Sequence, residues 1–274
     1  IFLLSIIPDI FNLNDGFPSE QKLVIRMLIL MIFCWLTEII PISITALLPI
    51  LFSPFFLEIK FTEILSHYAS SVVFLLLGGF ILAQGFEKSQ LHRRIALKTL
   101  LEFGKTRKRI IFIIMFATAF FSMWLSNTAT CLLMIPIIKF IVDTTLNKRV
   151  DEYFSKMLIL AVAYSASIGG MITPIGTIPN AILVAFLNEN YNYQIDFIDW
   201  LLFTLPIATL ILISLWLYFS MNTKDDGKEL DLKMILKRFK ELGGLSNAEK
   251  VSGFVIVLTG FLWIFKSKIN SFFG

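Results

Sequence analysis

The stretch RIIFIIMFATAFFSMWLSNTATCLLMIPIIK, residues 109–139, decides the fold of this chain, because 29 uncharged residues lie between its two basic ends. One helix of that length would extend about 43 Å, which exceeds the roughly 30 Å hydrocarbon core of a bilayer. Two complete spans and a turn would need about 40 residues. We therefore expect a re-entrant helical hairpin over residues 110–142 that turns at Ser126-Asn127-Thr128. Non-helical backbone at that depth must pack in protein or line a wet cavity, so the turn is a candidate binding site.

Residues 157–188 form a second uncharged stretch, 32 residues long. As a helix it would extend about 48 Å, too long for one untilted span and too short for two. The run TPIGTIPN at 173–180 interrupts it. Pro174 would stop the first half-helix, and Pro179 suits the first turn of the second. We expect a discontinuous helix that is broken near the middle of the membrane, with Gly169-Gly170 serving helix packing.

The composition is typical of an all-α polytopic membrane protein. Hydrophobic residues make up 57% of the chain, charged residues 16%, and the mean hydropathy is +0.79. The net charge of +4 does not indicate a nucleic-acid partner, because the basic residues cluster between apolar stretches. Cys34 and Cys131 lie far apart in apolar stretches and are expected to be buried free thiols. His67 and His92 lie in polar segments and are expected to be solvated.

The remaining stretches suggest further spans, loops and surface segments. Residues 87–109 carry eight Lys/Arg and a rough apolar stripe, which indicates an amphipathic helix on the membrane surface. Gly78-Gly79 is expected to be a point of close helix packing. The expected spans are the end of one at 1–7, then 23–37, 42–57 interrupted by Pro49 and Pro54, 70–86, 200–221 and 251–265. The expected loops are 8–22, 58–69, 143–156 and 189–199, and 222–250 is a mixed-charge amphipathic segment.

The distribution of basic residues predicts the orientation. Placing residues 87–109, 139–156 and 224–250 in the cytoplasm puts 19 of the 24 Lys/Arg there. The positive-inside rule therefore selects this orientation, with the hairpin opening toward the cytoplasm. The expected location is the cell membrane, with several spans in contact with lipid.

Both interruptions leave backbone groups unpaired. Helices that start near Thr128 and Pro179 would present N–H groups and a partial positive charge, which suit an anionic ligand. Helices that end near Leu125 and Ile172 would present carbonyl groups, which suit a small cation such as Na⁺. Neither interruption contains a carboxylate, as expected if the ligand itself is the anion.

The hydroxyl groups at the first interruption have two readings. Ser122 and Ser126 are four residues apart, so they share one face of a helix. Oxygen groups without a carboxylate fit Na⁺ better than a dedicated divalent-cation site. Alternatively, serine and threonine in membrane helices bond to their own backbone or to a neighbouring helix.

At these residues the chain resembles the divalent anion/sodium symporter family, the carriers of dicarboxylates, citrate and sulfate. The order and spacing of the motifs match the first inverted repeat of that family over nearly the whole chain. The family often has two prolines before the asparagine of its third motif, whereas Ile178 precedes Pro179 here. The matching stretches are WLTEIIP at 35–41 with TALLP at 45–49, SMWLSNTAT at 122–130 and GTIPN at 176–180.

The resemblance implies a fold and a division of the chain. The fold would be the first inverted repeat of an elevator-type transporter, which forms a homodimer with a fixed scaffold domain and a moving transport domain. Residues 1–109 would hold scaffold-type transmembrane helices and the cytoplasmic interfacial helix. Residues 110–221 would form the transport-type region. Residues 222–274 would hold the cytoplasmic amphipathic segment and the first helix of a second repeat.

The resemblance also assigns candidate binding residues. A first sodium site would be formed by Ser122, Ser126, Asn127 and Gly176. Asn127, Thr128 and Thr177 would face the substrate carboxylate. In such carriers a second repeat supplies another Ser-Asn-Thr hairpin, a second sodium site and the other half of the pocket. Since only one Ser-Asn-Thr is present, we expect this chain to be an incomplete carrier that lacks its C-terminal half.

The leading hypothesis is Na⁺-coupled import of a small divalent anion, such as a C4-dicarboxylate, with citrate and sulfate left open. Na⁺ is the expected coupling ion, and no organic cofactor is expected. The alternatives are a related carrier of the arsenite or Na⁺/H⁺ type and an anion exchanger that is independent of Na⁺. Proton coupling would favour a carboxylate within the membrane, which neither interruption contains. An enzyme is not expected, because the chain lacks HExxH, GxSxG and a histidine within an apolar span.

Overall fold

The computed structural model describes residues 18–57, 59–145, 152–193, 195–223 and 233–266, together with 269 and 272. Within these residues all regular secondary structure is helical, in thirteen α-helices, which confirms the predicted helical class. The chain divides into two compact units, residues 1–73 and 74–274. The predicted span end at 1–7, most of the loop at 8–22, and residues 146–151 and 224–232 of two predicted polar segments lie outside the described residues.

The described residues of the first unit form four complete helices and the start of a fifth. The helix before Pro41 ends at Thr37, and Glu38 follows in the left-handed region with φ 52°. Proline disfavours helical backbone in the residue before it, so the predicted break at this point is confirmed. The helices are α1 (Ser19–Thr37), α2 (Ile42–Thr45), α3 (Leu48–Phe56), α4 (Phe61–Tyr68) and α5 (Ser71–Ser89).

Two predictions for the first unit are wrong. Pro54 lies inside α3 and does not interrupt it, whereas Pro49 lies in the first turn, where its missing N–H costs little. The predicted loop at 58–69 contains the two-turn helix α4. Its charged residues suggested a loop, but they lie on a short helix whose Ile64 side chain is buried.

The second unit continues with eight helices. The predicted spans at 200–221 and 251–265 correspond closely to two of these helices. Glu189, predicted in a loop, lies instead within a helix that continues to Tyr191. The helices are α6 (Leu91–Phe103), α7 (Arg107–Ser122), α8 (Asn127–Thr145), α9 (Glu152–Met171), α10 (Ile178–Tyr191), α11 (Phe197–Asn222), α12 (Lys233–Glu241) and α13 (Asn247–Ile264).

Helix α9 is central to the second unit, since it packs against α7, α8 and α11. The core is apolar, and its fully buried members come from all three helices of the α7–α9 group. Small residues on α9 let the neighbouring helices approach closely. The core includes Ile110 and Ile114 of α7, Met134 and Ile141 of α8, and Leu158 and Val162 of α9.

Gly169 marks the closest approach in this packing. A Cβ atom at this position would lie 2.2 Å from the carbonyl oxygen of Ala119, so a larger residue cannot fit without moving α7. The prediction that Gly78-Gly79 is a close-packing point is wrong. A Cβ atom on Gly78 would meet no atom within 4 Å, and one on Gly79 would lie at an ordinary 3.8 Å from Ile175.

Four stretches of helix among the described residues are long and apolar enough to cross a membrane. Together with the apolar composition, they confirm a multi-pass membrane protein. Shorter apolar helices occur at Ile42–Phe56 and Asn127–Val142. The four candidate spans are Phe61–Ser89, Glu152–Met171, Phe197–Asn222 and Asn247–Ile264.

Helix α6 lies within the predicted amphipathic segment, and its apolar stripe packs on the core through Ala96, Leu97 and Leu100. His92 on the same helix is buried, so the prediction that it is solvated is wrong. Its ring lies between Phe86 and Phe121, with ring centroids 5.8 and 6.4 Å away. The polar neighbours of His92 in the sequence obscured this aromatic environment. His67 is exposed, as predicted.

An ion pair fastens α6 to the start of α13. The Nε and Nη2 atoms of Arg94 donate to the two carboxylate oxygens of Glu249, at 2.5 and 3.1 Å. Both side chains are largely buried. The same guanidinium donates to three carbonyl oxygens of the preceding loop, those of Leu242, Gly243 and Gly244. Glu249 also accepts from the backbone N–H of Ser246 and so completes the N-terminal cap of α13.

The Gly169 contact yields a test of the packing. We expect Gly169→Ala to destabilise the fold by roughly 1–3 kcal/mol or more, because the added methyl group overlaps the Ala119 carbonyl. Equilibrium unfolding of the detergent-solubilised protein measures this change. Gly78→Ala is the matched control, since its methyl group enters open space. Equal stability of the two variants would contradict the proposed crossing of α7 and α9.

Candidate functional site

The first helix interruption lies between α7 and α8. Helix α7 ends at the buried Ser122, and the chain turns through residues 123–126. The turn was predicted at 126–128, but Asn127 and Thr128 already belong to α8. The observed turn therefore lies up to one helical turn earlier in the chain than predicted. The Ser126 hydroxyl accepts from the backbone N–H of Ala129 at 3.3 Å and so caps this helix. A local cap of this kind explains why the helix begins directly after the serine.

The second interruption lies between α9 and α10, at residues 172–177. Thr173 stabilises this bend, since its hydroxyl accepts from the backbone N–H of Gly176 at 3.0 Å. Thr177 precedes α10 in extended backbone, with φ −146° and ψ 144°, and its side chain makes no capping hydrogen bond. Pro179 occupies the first turn of α10, as predicted. The interruption thus overlaps the predicted region, 173–180, and begins one residue before it.

Asn180 holds the second interruption together. Its amide group donates to the carbonyl oxygen of Gly170 at 2.9 Å and to that of Thr173 at 2.8 Å. From α11, the Trp200 indole donates to Met171 O at 3.0 Å, and the Thr204 hydroxyl lies 2.9 Å from Ile172 O. The carbonyl groups at the end of α9 are therefore engaged by side chains, contrary to the expectation that the break leaves them unpaired.

The two interruptions are in direct contact. The Ser122 hydroxyl donates to the Ala166 carbonyl oxygen of α9 at 2.7 Å and lies 2.9 Å from Asn127 Oδ1. The Thr173 hydroxyl donates to the Met123 carbonyl oxygen at 2.5 Å. Residues 44 and 50 positions apart in the chain are joined in this way. The turn between α7 and α8 is consequently held against the interruption between α9 and α10.

Two glycines allow this contact. A Cβ atom on Gly170 would lie 2.2 Å from Asn127 Oδ1, so the asparagine side chain occupies the space that a larger residue would need. A Cβ atom on Gly176 would lie 3.0 Å from the Ser122 carbonyl oxygen and 2.6 Å from the Gly170 carbonyl oxygen. Gly170 was predicted to serve packing only, yet it lies against a predicted site residue.

The predicted site residues fall into two groups. Ser122 and Gly176 are buried where the two interruptions meet, and Asn127 is half-buried beside them. Thr128 is exposed and Thr177 half-buried. Ser126, also predicted to bind Na⁺, is exposed, and its hydroxyl is engaged by the cap of α8. The structure thus brings Ser122, Asn127 and Gly176 together and separates the Ser126 hydroxyl from them.

The meeting point is rich in uncharged oxygen atoms. Among the described residues, the Ser122 carbonyl oxygen accepts no hydrogen bond, although it ends a helix. Within the described part of the chain, the Ser122 hydroxyl is the one hydrogen-bonding group in reach of Asn127 Oδ1, and that hydroxyl donates its single hydrogen at shorter distance to Ala166. The described residues contain no group of three or more His, Cys, Asp or Glu that could hold a metal ion.

Sequence reasoning missed several residues of this site. Asn180 was recognised as part of a motif without a role, and the Ala166 carbonyl has no signature in the sequence. Thr130 and Ser165 are fully buried, and neither hydroxyl has a hydrogen-bond partner within the described part of the chain. Thr130 lies three residues after Asn127, on the same face of α8. The feature of the sequence that could have indicated Thr130 and Ser165 is a polar side chain within an otherwise apolar helix.

Comparison with known proteins identifies what the chain is similar to. A family model described as citrate transporter matches residues 29–272. The sodium-dependent dicarboxylate transporter SdcS of Staphylococcus saprophyticus is 34% identical over 264 residues, which cover 91% of this chain and 50% of that protein. SdcS of Staphylococcus aureus strain USA300 is 34% identical over 274 residues, covering 96% and 52%. The chain spans about half the length of the curated relatives it matches.

The role of Asn180 can be tested directly. We expect Asn180→Ala to free two buried carbonyl groups, each at a cost of about 1–3 kcal/mol, and so to loosen residues 172–177. Hydrogen exchange measured by mass spectrometry would then be faster in that segment. Asn190→Ala is the control on the same helix, because Asn190 is exposed and its amide donates to the Phe186 carbonyl oxygen within that helix. Unchanged exchange at 172–177 in Asn180→Ala would rule out this role.

Proposed function

Because the chain belongs to the citrate transporter family, we propose that the product of its gene is a secondary active transporter that imports a small divalent anion together with Na⁺. The family match confirms the resemblance inferred from the three sequence motifs, and the family consists of transporters and not enzymes. The names of the similar proteins, sodium-dependent dicarboxylate transporters, support a C4-dicarboxylate as the substrate and Na⁺ as the coupling ion.

The observation that carries this proposal is the contact between the two helix interruptions. Their meeting point offers uncharged oxygen atoms, including the Ser122 carbonyl and Asn127 Oδ1, and no carboxylate. Such a set suits a monovalent cation better than Ca²⁺ or Mg²⁺, which prefer carboxylate ligands. We assign the sodium site to Ser122, Ser126, Asn127 and Gly176. Ser126 would contribute by positioning Asn127, since its own hydroxyl caps α8.

The anion would bind on the exposed side of the same junction. Helices α8 and α10 begin at Asn127 and Ile178, and the free N–H groups of a helix start attract negative charge. We assign the substrate contacts to Asn127, Thr128 and Thr177. The two threonines are accessible, and the Thr177 side chain makes no capping hydrogen bond that a ligand would have to displace. Asn127 would link the bound anion to the bound Na⁺.

The proposed membrane arrangement follows from helix length. Helix α7 has 16 residues, about 24 Å, which is short of a full crossing, so a re-entrant hairpin over 110–142 fits these dimensions. The interruption at residues 172–177 would lie at depth in a broken helix over 157–188. We propose that residues 110–221 belong to a moving transport domain and residues 1–109 to a scaffold, in an elevator-type homodimer. Residues 222–274 would continue on the cytoplasmic side and begin a second repeat.

Transport and its dependence on Asn127 can be measured together. We expect the product of the intact gene, in proteoliposomes, to take up labelled succinate only under an inward Na⁺ gradient. Asn127→Ala should abolish uptake, because it removes the side chain shared by both assigned sites. Asn190→Ala should transport normally and controls for insertion. The proposal would be contradicted if the Na⁺ gradient had no effect on the uptake of succinate, citrate or sulfate. Normal transport by Asn127→Ala would also contradict it.

Sodium binding can be tested without transport. A ligand at ten times its Kd stabilises the folded state by about 1.4 kcal/mol, so NaCl should raise the thermal transition above that in choline chloride at equal ionic strength. Ser122→Ala should reduce this increase, because it removes the hydroxyl oxygen that lies 2.9 Å from Asn127 Oδ1. Ser214→Ala is the control, since Ser214 is exposed and bonds within its own helix. An equal effect of NaCl on both variants would place Na⁺ elsewhere.

A further inference from the structure

A cavity of about 420 Å³ lies between α6, the middle of α8, and α12. It is separate from the junction of the two helix interruptions. Its polar residues come from α6, from the residue just before α6, and from α12, and its apolar wall comes mainly from α8. The polar residues are Gln90, His92, Arg93 and Arg238.

The charge at this cavity is predominantly positive. Arg93 is half-buried and has no acidic partner among the described residues. Arg238 packs over the Phe140 ring at 5.6 Å and pairs with Glu241 at 3.2 Å. Because this ion pair is exposed, it contributes little and can be exchanged for another anion. Two guanidinium groups at one opening suit a phosphate, which each can contact through two N–H groups.

His92 provides a second, independent indication of a ligand. Its side chain is 6% exposed, and its Nδ1 atom is buried without a hydrogen-bond partner among the described residues. Burial lowers the pKa of His92, while the Phe86 carbonyl and Glu87 partly oppose this effect. A buried polar nitrogen without a partner is unusual in a native protein, and His92 is one of the residues that line this cavity.

The apolar wall distinguishes an amphiphilic ligand from a free anion. Leu132 is 64% exposed although it lies on the cavity wall, and Pro136, one turn further along α8, is also exposed. A small anion would bind the arginines and leave this surface uncovered. An acyl chain that descends along α8 would cover it.

The position of α12 supports the same ligand. This helix is amphipathic: Ile235 is fully buried, whereas Lys237 and Lys240 are exposed. Basic amphipathic helices lie at membrane surfaces, and basic pockets on the cytoplasmic side of membrane proteins bind anionic headgroups. The positive-inside rule places α6 and α12 on that side.

We propose that this cavity binds the headgroup of an anionic phospholipid. Arg93 and Arg238 hold the phosphate, Gln90 and His92 bond to the headgroup hydroxyls, and an acyl chain lies along Leu132 and Pro136. The lipid thereby joins α6, α8 and α12. This site is independent of the proposed transport activity and does not depend on the sodium or substrate assignments.

Native mass spectrometry of the delipidated protein titrated with phosphatidylglycerol tests this site. We expect one tightly bound phosphatidylglycerol per chain. Arg93→Gln/Arg238→Gln should weaken it by at least about tenfold, given the contribution expected of two arginines near an anionic lipid. The matched control is Lys98→Gln/Lys237→Gln, which makes the same charge change on the same two helices at exposed positions outside the cavity.

Further titrations of the unmutated protein distinguish between the possible ligands. Phosphatidylcholine should bind far more weakly than phosphatidylglycerol, and millimolar inorganic phosphate should not displace the bound lipid. Equal weakening in the control variant would mean non-specific attraction to the basic surface and would overturn the proposal. Displacement by inorganic phosphate would overturn it in favour of a free-anion site, and equal binding of phosphatidylcholine would overturn it in favour of a purely apolar groove.

Discussion

The structure depends on the hydrogen bonds made by backbone groups at the two helix interruptions, where the regular helical bonds end. A backbone carbonyl buried without a hydrogen bond is costly, and more so in a membrane, where water is absent. Side chains supply the bonds: Asn180 for Gly170 and Thr173, and Thr173 in turn for Met123. Because these bonds run between the two interruptions as well as within them, the turn between α7 and α8 and the segment between α9 and α10 are held together.

This arrangement allows the junction to be ordered without a ligand and still to offer oxygen atoms to one. Most of the carbonyl groups around it are engaged, so the backbone is held in place without a ligand. The Ser122 carbonyl and Asn127 Oδ1 remain, pressed against Gly176 and Gly170. A small cation would gain preorganised oxygen ligands there, and preorganisation reduces the cost of binding. The same geometry places two helix N-termini beside the junction, where an anion is favoured.

The region where α6 meets α13 is organised by different interactions. Arg94 and Glu249 fasten α6 to α13 through a buried ion pair with additional carbonyl contacts, an arrangement that satisfies most donors of the guanidinium group. Arg93, its neighbour in the chain, has no such partner among the described residues and lines an open cavity. Adjacent arginines on one helix thus have opposite environments, one satisfied within the protein and one directed to the proposed lipid.

The sequence alone determined the helical membrane class, the family, the positions of both interruptions to within about one turn, and the break before Pro41. These features depend on local properties: the length of an uncharged stretch relative to a bilayer, and the backbone restrictions of proline. Only the tertiary structure decided that Asn180 bonds to the end of α9, that His92 is buried between two aromatic rings, and that Gly169 rather than Gly78-Gly79 is the close contact. Those outcomes depend on contacts between side chains of different helices. Contacts between residues 44 or 50 positions apart produce no periodic pattern in the sequence from which they could be predicted.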